Sequence, residues 1–176
     1  MGRGRRRRRR QLTGGILALD LSSTVGWAYG LPGRGPALDF GSWALARTSN
    51  DTMGSRFASF DNELRAALKR FRPQHLCLEA PLPPQAQTNA TSCRIAYGLD
   101  AIARGNAYRF SCAVHAIDTR SARAEVVPKP PRGMFRDDKV SKDTIIAWAK
   151  SQGRAVTNDH QADALVILEY YRHRLA

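Results

Sequence analysis

Two short apolar segments that each carry an acidic residue at their end constrain the fold of this chain most. Ile16 to Leu21 is apolar except for Asp20, and His75 to Glu79 ends in its acid immediately before a proline-rich loop. Short, continuous apolar runs are typical of buried strands. A carboxylate in such a strand is costly unless it leaves the sheet at its end or meets a cation. The two segments therefore predict that acidic side chains are brought together at one edge of a sheet.

Three further segments have the spacing of strands. Gly26 to Gly30 and Ala37 to Ala46 follow the first strand closely, separated by a Pro/Gly loop, and Cys112 to Ile117 is a later apolar run. Strands joined by links this short pair antiparallel, so the first three strands are predicted to form a meander.

Helical periodicity occupies most of the remaining sequence. Apolar residues recur every three or four positions in the first helix, which ends before Pro73. Glu125 to Arg136 is predicted to be a surface loop because it holds three prolines. The apolar face of the first helix consists of Phe57, Phe60, Leu64, Leu68 and Phe71. Three further helices are predicted at Ser92 to Ala107, Ser141 to Gln152 and about Asp159 to Tyr171. In the second of these, Ser141 is the predicted N-cap and Gly153 the stop. The order of elements predicts an α/β fold in which helices flank a central mixed five-stranded sheet.

The charge of the chain indicates a polyanionic partner. The 176 residues carry a net charge of +13, and seven arginines stand among the first ten residues; subtracting them leaves +6 for the remainder. A basic body with a basic arm is typical of nucleic-acid binding, although the arm could also be a localisation signal or a solvated terminus. We expect Met1 to Gln11 to be a disordered arm and residues 12–176 to form one domain. The arginines of the arm that are predicted to bind DNA are Arg5, Arg6, Arg7, Arg8, Arg9 and Arg10.

The sequence gives no sign of a membrane segment or of a disulfide framework. No apolar run approaches the roughly 20 residues that span a bilayer. Cys77 and Cys112 lie inside apolar runs and are predicted to be core residues in a reducing compartment. We therefore expect a cytoplasmic protein, located in the host cytoplasm if a phage encodes it.

A third acidic motif lies near the C-terminus, in Asp159-His160-Gln161-Ala162-Asp163. On a helix, His160 and Asp163 are three positions apart and share a face. The plainer alternative is a helix that starts with Asp159 as N-cap and leaves His160 exposed, while Asp20 caps the turn that follows it.

Taken together, the three motifs offer oxygen and nitrogen ligands for Mg²⁺ or Mn²⁺. Phosphodiester hydrolysis needs an activated water and compensation of charge on the leaving oxygen, which two metal ions about 3.5–4 Å apart provide. In this hypothesis Asp20 bridges two ions, Glu79 and Asp163 each hold one, and His160 is a ligand or a proton shuttle.

The same residues resemble motifs of the RuvC-like Holliday junction resolvases, especially the short phage and prophage forms. Asp20 followed by Gly26-Trp27-Ala28 resembles the first motif, Leu78-Glu79-Ala80-Pro81 the second, and His160-Gln161-Ala162-Asp163-Ala164-Leu165 the last. The resemblance runs from Ile16 to the C-terminus. It implies an RNase H-like fold, a homodimer, two divalent ions per active site and paired nicks across four-way DNA junctions. It also implies that Lys142 contacts phosphate.

Two positions depart from that family's pattern. Leu82 stands where many resolvases carry an aromatic wedge, and His160 stands where some relatives have Asp. The first departure leaves room for a general flap or branched-DNA nuclease, or an RNase H. A non-catalytic DNA-binding relative would lack one acid, and a nucleotide-binding relative of actin and sugar kinases would need a longer chain.

Other polar residues receive weaker assignments. His75 and His115 are predicted to be structural, and Asp118 a turn residue. Some of the basic residues after the last strand are expected to contact DNA phosphate, and the second helix is a candidate dimer interface. The basic set is Arg120, Arg123, Lys129, Arg132 and Arg136, and the interface set is Tyr97, Leu99 and Ile102.

Overall fold

The computed structural model describes residues 14–33, 35–45, 52–83, 89–128 and 141–176. Five strands lie within these ranges: β1 (Ile16–Asp20), β2 (Thr24–Gly30), β3 (Asp39–Ala44), β4 (His75–Glu79) and β5 (Ala113–Ile117). They form one sheet in the order β3-β2-β1-β4-β5. The predicted arm, Met1 to Gln11, lies outside the described residues.

The sheet is mixed, as predicted. β1, β2 and β3 pair antiparallel, which confirms the meander. β4 pairs parallel with β1 and with β5, because helical crossovers precede both of them. Parallel pairing places the carboxyl ends of β1 and β4 side by side, and these are the ends that carry the two acids.

Five helices cover the two faces of the sheet: α1 (Met53–Phe71), α2 (Ala90–Arg109), α3 (Thr119–Val126), α4 (Lys142–Ser151) and α5 (Asp159–Arg172). Leu17, Leu19 and Leu76 pack with α1 and α2 on one face. Ala18 and Cys77, one position away along the strands, pack with α4 and α5 on the other. This alternation is the period of two that strands impose, and it confirms that a sheet is flanked by helices. Within the described ranges, no helix is both long enough and apolar enough to cross a membrane.

Helix α3 was not predicted from the sequence. Glu125 and Val126 end this helix, so the prediction of a surface loop beginning at Glu125 is wrong at its start; residues 129–136 lie outside the described ranges. The helix has only eight residues, and Thr119 and Ala122 are its buried residues. Two buried positions are too few to produce a recognisable apolar periodicity in the sequence. Asp118, predicted to be a turn residue, caps its N-terminus by accepting from the backbone N–H of Arg120.

The ends of the other helices follow local capping chemistry. Ser141 accepts from the backbone N–H of Thr144 as the N-cap of α4, as predicted, and Gly153 follows that helix at φ +74°. The N-cap of α5 is Asn158, whose side chain accepts from the backbone N–H of Gln161. The alternative in which Asp159 is the cap is therefore wrong.

The second helix is only partly available as a surface. Leu99 is fully buried against the sheet, so its assignment to a dimer interface is wrong, and Ile102 packs against the same core. Tyr97 is 40% exposed, and its hydroxyl donates to the carbonyl oxygen of Leu82. The apolar excess on this helix therefore mostly completes the core of the chain itself.

Candidate active site

The carboxylates of Asp20 and Glu79 meet at the carboxyl ends of β1 and β4. They follow directly after the paired residues Leu19 and Leu78 and face the same side of the sheet as Ala18 and Cys77. That side is covered by α5, and the two carboxyls lie within hydrogen-bonding distance of each other. The clustering of acids at one sheet edge is therefore present as predicted.

The first turn of α5, which packs on this face of the sheet, adds His160 and Asp163 to the cluster. His160 Nδ1 lies 2.8 Å from Asp20 Oδ2, and Asp163 is 4% exposed against 5% for Asp20. α5 comes this close because β2 has a glycine under it. A Cβ at Gly26 would lie 1.8 Å from the carbonyl oxygen of His160. The Gly26 of the first motif thus lets the helix backbone rest directly on the sheet.

The hydrogen bonds around His160 define its tautomer. The Ser22 hydroxyl donates to the Thr24 carbonyl oxygen over 2.6 Å, so towards His160 Nδ1, at 3.2 Å, it can only accept. In the neutral form of the ring this places the proton on Nδ1, between Ser22 and Asp20, and the lone pair on Nε2. Nε2 is therefore the ring atom that can bind a cation or accept a proton.

The three carboxyls resist ionisation because they are buried together. Burial raises the pKa of Asp20 to about 7, with Asp163 adding to the rise. Burial raises the pKa of Glu79 to about 8, and Asp20 adds to it. Burial also raises the pKa of Asp163. Such a cluster holds protons at neutral pH that a nearby cation would displace.

Two positive charges compensate part of this cluster. The Arg123 guanidinium of α3 donates to both oxygens of Asp163, over 2.8 and 2.6 Å. Lys142, at the start of α4, pairs with Asp159 at the rim. Arg123 was predicted to belong to a phosphate-binding surface; it lies instead inside the site. Lys142 remains a predicted phosphate contact, and Lys129, Arg132 and Arg136 lie outside the described residues.

The arginines of the N-terminal arm have no assigned place relative to this site. The described part of the chain begins at Gly14, so their contact with DNA stays a prediction. The predicted DNA-binding residues that lie outside the described ranges for this reason are Arg5, Arg6, Arg7, Arg8, Arg9 and Arg10.

Sequence reasoning missed the role of Ser22, which contacts His160 Nδ1, and the roles of two residues of α3. One is Arg123. The other is Thr119, which is buried and donates its hydroxyl hydrogen to Glu79 Oε1 over 2.5 Å. The available signal was Asp118, a residue type that caps helices, directly after a strand. Recognising it would have placed Thr119 and Arg123 one turn apart on a helix face.

The donor set fits hard divalent cations, which prefer carboxylate oxygens. Within the described residues, no three His, Cys, Asp or Glu side chains stand in the arrangement of a preformed metal site. Two of the acids make other contacts, because Arg123 holds Asp163 and His160 holds Asp20. The buried carboxyls with raised pKa values are nonetheless the groups that a cation would stabilise, and Asp20, Glu79, Asp163 and His160 Nε2 would hold it.

An open cavity of about 290 Å³ adjoins Glu79. Its walls are largely apolar and include Leu21, Pro81, Leu82 and Ile95. Leu82, noted above as a departure from the resolvase pattern, is 38% exposed and lines this cavity at the mouth of the site. It offers no ring for stacking.

The fold resembles solved resolvase structures. No protein-family model matches the sequence, and no curated protein matches it. T. thermophilus RuvC in complex with a Holliday junction substrate is 14% identical, with 90% of this chain and 92% of that chain covered and a TM-score of 0.70. A second T. thermophilus RuvC structure is 15% identical over 89% of this chain and 94% of that chain, with a TM-score of 0.64.

A eukaryotic structure shows the same likeness. The yeast mitochondrial Holliday junction resolvase Ydc2 is 11% identical, with 91% of this chain and 78% of that chain covered and a TM-score of 0.61. At such identities the likeness concerns the path of the chain. The five-stranded mixed sheet with helices on both faces is therefore the RNase H-like fold in its RuvC-like form.

Proposed function

We propose that this chain is a metal-dependent endonuclease that cleaves branched DNA, and that it resolves four-way junctions by paired nicks. The observation that carries the proposal is the convergence of Asp20, Glu79, His160 and Asp163 at one sheet edge of a RuvC-like fold. The structural neighbours are Holliday junction resolvases, which supports the choice of substrate class. The fold alone hosts other activities, so the proposal rests on the site.

The buried carboxyls would hold the divalent ions. Asp20 interacts with both Glu79 and Asp163, so it is the residue that two ions would share, and Glu79 and Asp163 would each contribute to holding one of them. Bound Mg²⁺ or Mn²⁺ would supply the charge that activates a water molecule and compensates the leaving oxygen. Thr119 orients the Glu79 carboxylate by donating its hydroxyl hydrogen to Oε1.

His160 has one of two roles through the same atom. Its Nδ1–H is held by Asp20 and Ser22, which fixes the direction of the ring. Nε2 then either coordinates a cation or accepts the proton that the attacking water loses. In both cases Asp20 orients the imidazole.

The basic residues provide the binding energy for DNA. Lys142 stands at the rim of the site, where it can exchange Asp159 for a phosphate oxygen. The Arg5 to Arg10 cluster is proposed to bind phosphates without sequence preference. Paired nicks on opposing strands require two active sites, which a twofold homodimer of this chain would present together on the near-twofold junction.

A general branched-DNA nuclease is the second candidate function. Leu82 favours it, because an aliphatic side chain at the mouth of the site cannot stack on the bases at a junction centre. The active-site chemistry would be the same, and only the discrimination between four-way junctions and flaps would be weaker.

One experiment tests the proposal. The protein is incubated with Mg²⁺ and end-labelled four-way, flap, linear and RNA–DNA hybrid substrates, in parallel with Asp20→Asn and the control Asp39→Asn. Asp39 is the first residue of the edge strand β3, at the end of the sheet opposite Asp20. Its side chain forms an exposed ion pair with Arg70. We expect symmetric nicks in the junction from the wild type and Asp39→Asn, and none from Asp20→Asn.

The alternatives give different outcomes in the same assay. Preferential cutting of flaps, or single nicks by a sedimenting monomer, would support the general nuclease. Wild-type nicking by Asp20→Asn, or full activity in excess chelator, would contradict the proposed active site.

A further inference from the structure

Two histidines meet at the end of the sheet opposite the carboxylate cluster. His75 Nδ1 and His115 Nε2 lie 3.1 Å apart, with ring centroids 5.2 Å apart and an interplanar angle of 46°. Both rings are half-buried, so water reaches them. Their sequence pattern predicted structural roles only.

The strand register brings the two rings together. His75 is level with Ala113, and His115 is level with Cys77, so the histidines are diagonal neighbours on adjacent parallel strands. Alternation places both on the face covered by α5, where the ring of Tyr171 packs on His115 with a centroid distance of 5.4 Å. His75 is four residues from Glu79 on the same strand, which is about 13 Å. His115 is level with Cys77, which is two residues or about 7 Å from Glu79 along the strand. The pair thus shares the α5 face with Glu79 but no residue with the carboxylate cluster.

We propose that His75 and His115 form a second metal site, which binds a borderline transition-metal ion such as Zn²⁺ or Cu²⁺. Two imidazole nitrogens on a tetrahedral Zn²⁺, each about 2.0–2.1 Å from the ion, stand about 3.3 Å apart. The observed separation of 3.1 Å is already close to that spacing.

The remaining positions on the ion are filled by water. Among the described residues, no third His, Cys, Asp or Glu joins the pair as a ligand. Cys77 is on the same face, but it is fully buried and burial raises the pKa of its thiol, which keeps it from acting as a thiolate. Two nitrogen ligands with water define an open site on the edge strand pair.

The chemistry of the pair separates it from the carboxylate cluster. Imidazoles suit zinc and copper, whereas Mg²⁺ prefers oxygen ligands. Burial and the neighbouring His115 lower the pKa of His75, so its ring is neutral at physiological pH. In the metal-free protein His75 Nδ1 and His115 Nε2 share a hydrogen bond, so metal binding requires that the shared proton leaves the space between them and that each nitrogen directs a lone pair to the ion.

Zinc titration of histidine variants tests this inference. Zn²⁺ binding to the full chain is measured by calorimetry in the wild type and in four single variants. We expect His75→Ala and His115→Ala each to lose one equivalent of bound Zn²⁺. His173→Ala, which removes an exposed imidazole on the last helix, and His160→Ala, which alters the carboxylate cluster, are expected to keep that equivalent. The four variants cover every histidine of the chain.

Copper spectroscopy gives an independent readout. The electron paramagnetic resonance spectrum of Cu²⁺ bound to the wild type is expected to show coupling to two nitrogens, and His75→Ala or His115→Ala is expected to abolish that species. Circular dichroism checks the fold, and His75→Gln replaces any alanine variant that does not fold. Equal Zn²⁺ stoichiometry in all proteins would overturn the inference and leave the pair as a hydrogen bond between two strands. If the protein shows no nuclease activity, the proposed function of the carboxylate cluster fails, but the zinc titration of the His75–His115 pair is still valid.

Discussion

The guanidinium of Arg123 holds both carboxylate oxygens of Asp163, over 2.8 and 2.6 Å. The pair is largely shielded from water, with side-chain exposures of 23% for Arg123 and 6% for Asp163. A planar guanidinium that donates to both oxygens is a strong and geometrically specific ion pair. Arg123 therefore engages the two oxygens of Asp163 that a metal ion would need, and competes with any metal ion that Asp163 would hold.

Arg123→Gln is expected to bind Mn²⁺ more tightly than the wild type, because the metal ion no longer has to displace the guanidinium. The metal-free variant is expected to lose about 1–3 kcal/mol of stability, since a buried carboxylate loses its partner. Calorimetry with Mn²⁺ and thermal unfolding in chelator measure the two effects. Arg120→Gln is the matched control, because Arg120 lies on the same helix and is exposed. Equal Mn²⁺ affinity in the wild type and Arg123→Gln would show that the pair does not oppose metal binding.

The buried acids make the metal-free protein sensitive to pH. The pKa of Asp20 is raised to about 7 and that of Glu79 to about 8. Both groups keep protons in the folded state that the unfolded chain releases above about pH 4. The folded state then binds more protons than the unfolded state, so stability falls as the pH rises from about 4 towards 8.

Melting temperatures in chelator between pH 5 and pH 8 test this dependence. We expect Asp20→Asn to show a smaller fall than the wild type, because the amide does not titrate. His75 contributes with the opposite sign, so the difference between the two proteins is the quantity to compare. Parallel curves for the wild type and Asp20→Asn would contradict the raised pKa of Asp20.

Sequence reasoning succeeded where a residue's position in a strand determines its surroundings. Asp20 and Glu79 each end an apolar run, and parallel pairing of β1 with β4 places such ends together. His160 and Asp163 were found because a helix repeats every three to four residues. These periodicities also predicted the sequence of strands along the chain, and four of the five helices that the structure describes.

The rest depended on contacts that have no local pattern. The eight residues of α3 bury only Thr119 and Ala122, so the helix presents no extended apolar face and is stabilised by its contacts with α5 and the site. Its Arg123 is 40 residues from Asp163 along the chain, and Thr119 is 40 residues from Glu79. Leu99 was placed on a surface because nothing in the sequence shows how much of a helix face its own core covers.

Gly26→Ala is expected to damage both stability and cleavage. The added Cβ would meet the carbonyl oxygen of His160 at 1.8 Å, and the backbone of α5 would have to move away from the sheet. We expect a loss of about 3 kcal/mol or more, together with loss of activity as His160 and Asp163 shift.

Gly105→Ala is the matched control for this substitution. Gly105 lies within α2, and a Cβ there meets nothing within 4 Å. The control is expected to gain up to about 1 kcal/mol from helix propensity. Thermal unfolding and junction cleavage measure both variants. A fully active Gly26→Ala protein with an unchanged melting temperature would show that α5 does not rest on β2 in this way.

Deletion of Met1 to Gln11 is expected to weaken DNA binding at low salt. The deletion removes seven arginines, and every phosphate that is no longer neutralised reduces the slope of log affinity against log salt by about 0.9 on duplex DNA. Fluorescence anisotropy with a labelled junction at several salt concentrations measures this slope. Substitution of Arg5 to Arg10 by glutamine at full length separates charge from chain length. A slope that stays the same in both proteins would exclude the arm from the DNA interface.

His160→Asp is expected to retain substantial cleavage, whereas His160→Ala is expected to lose about 10²-fold or more. A carboxylate at this position can still bind a cation close to Asp20, but alanine can neither bind one nor accept a proton. His173→Asp, on the exposed end of α5, controls for the added negative charge. Rates are measured on a labelled junction with saturating Mg²⁺ across pH 6 to 9. If His160→Asp is folded yet as inactive as His160→Ala, the essential property is the proton chemistry of Nε2, and His160 is not replaceable as a simple ligand.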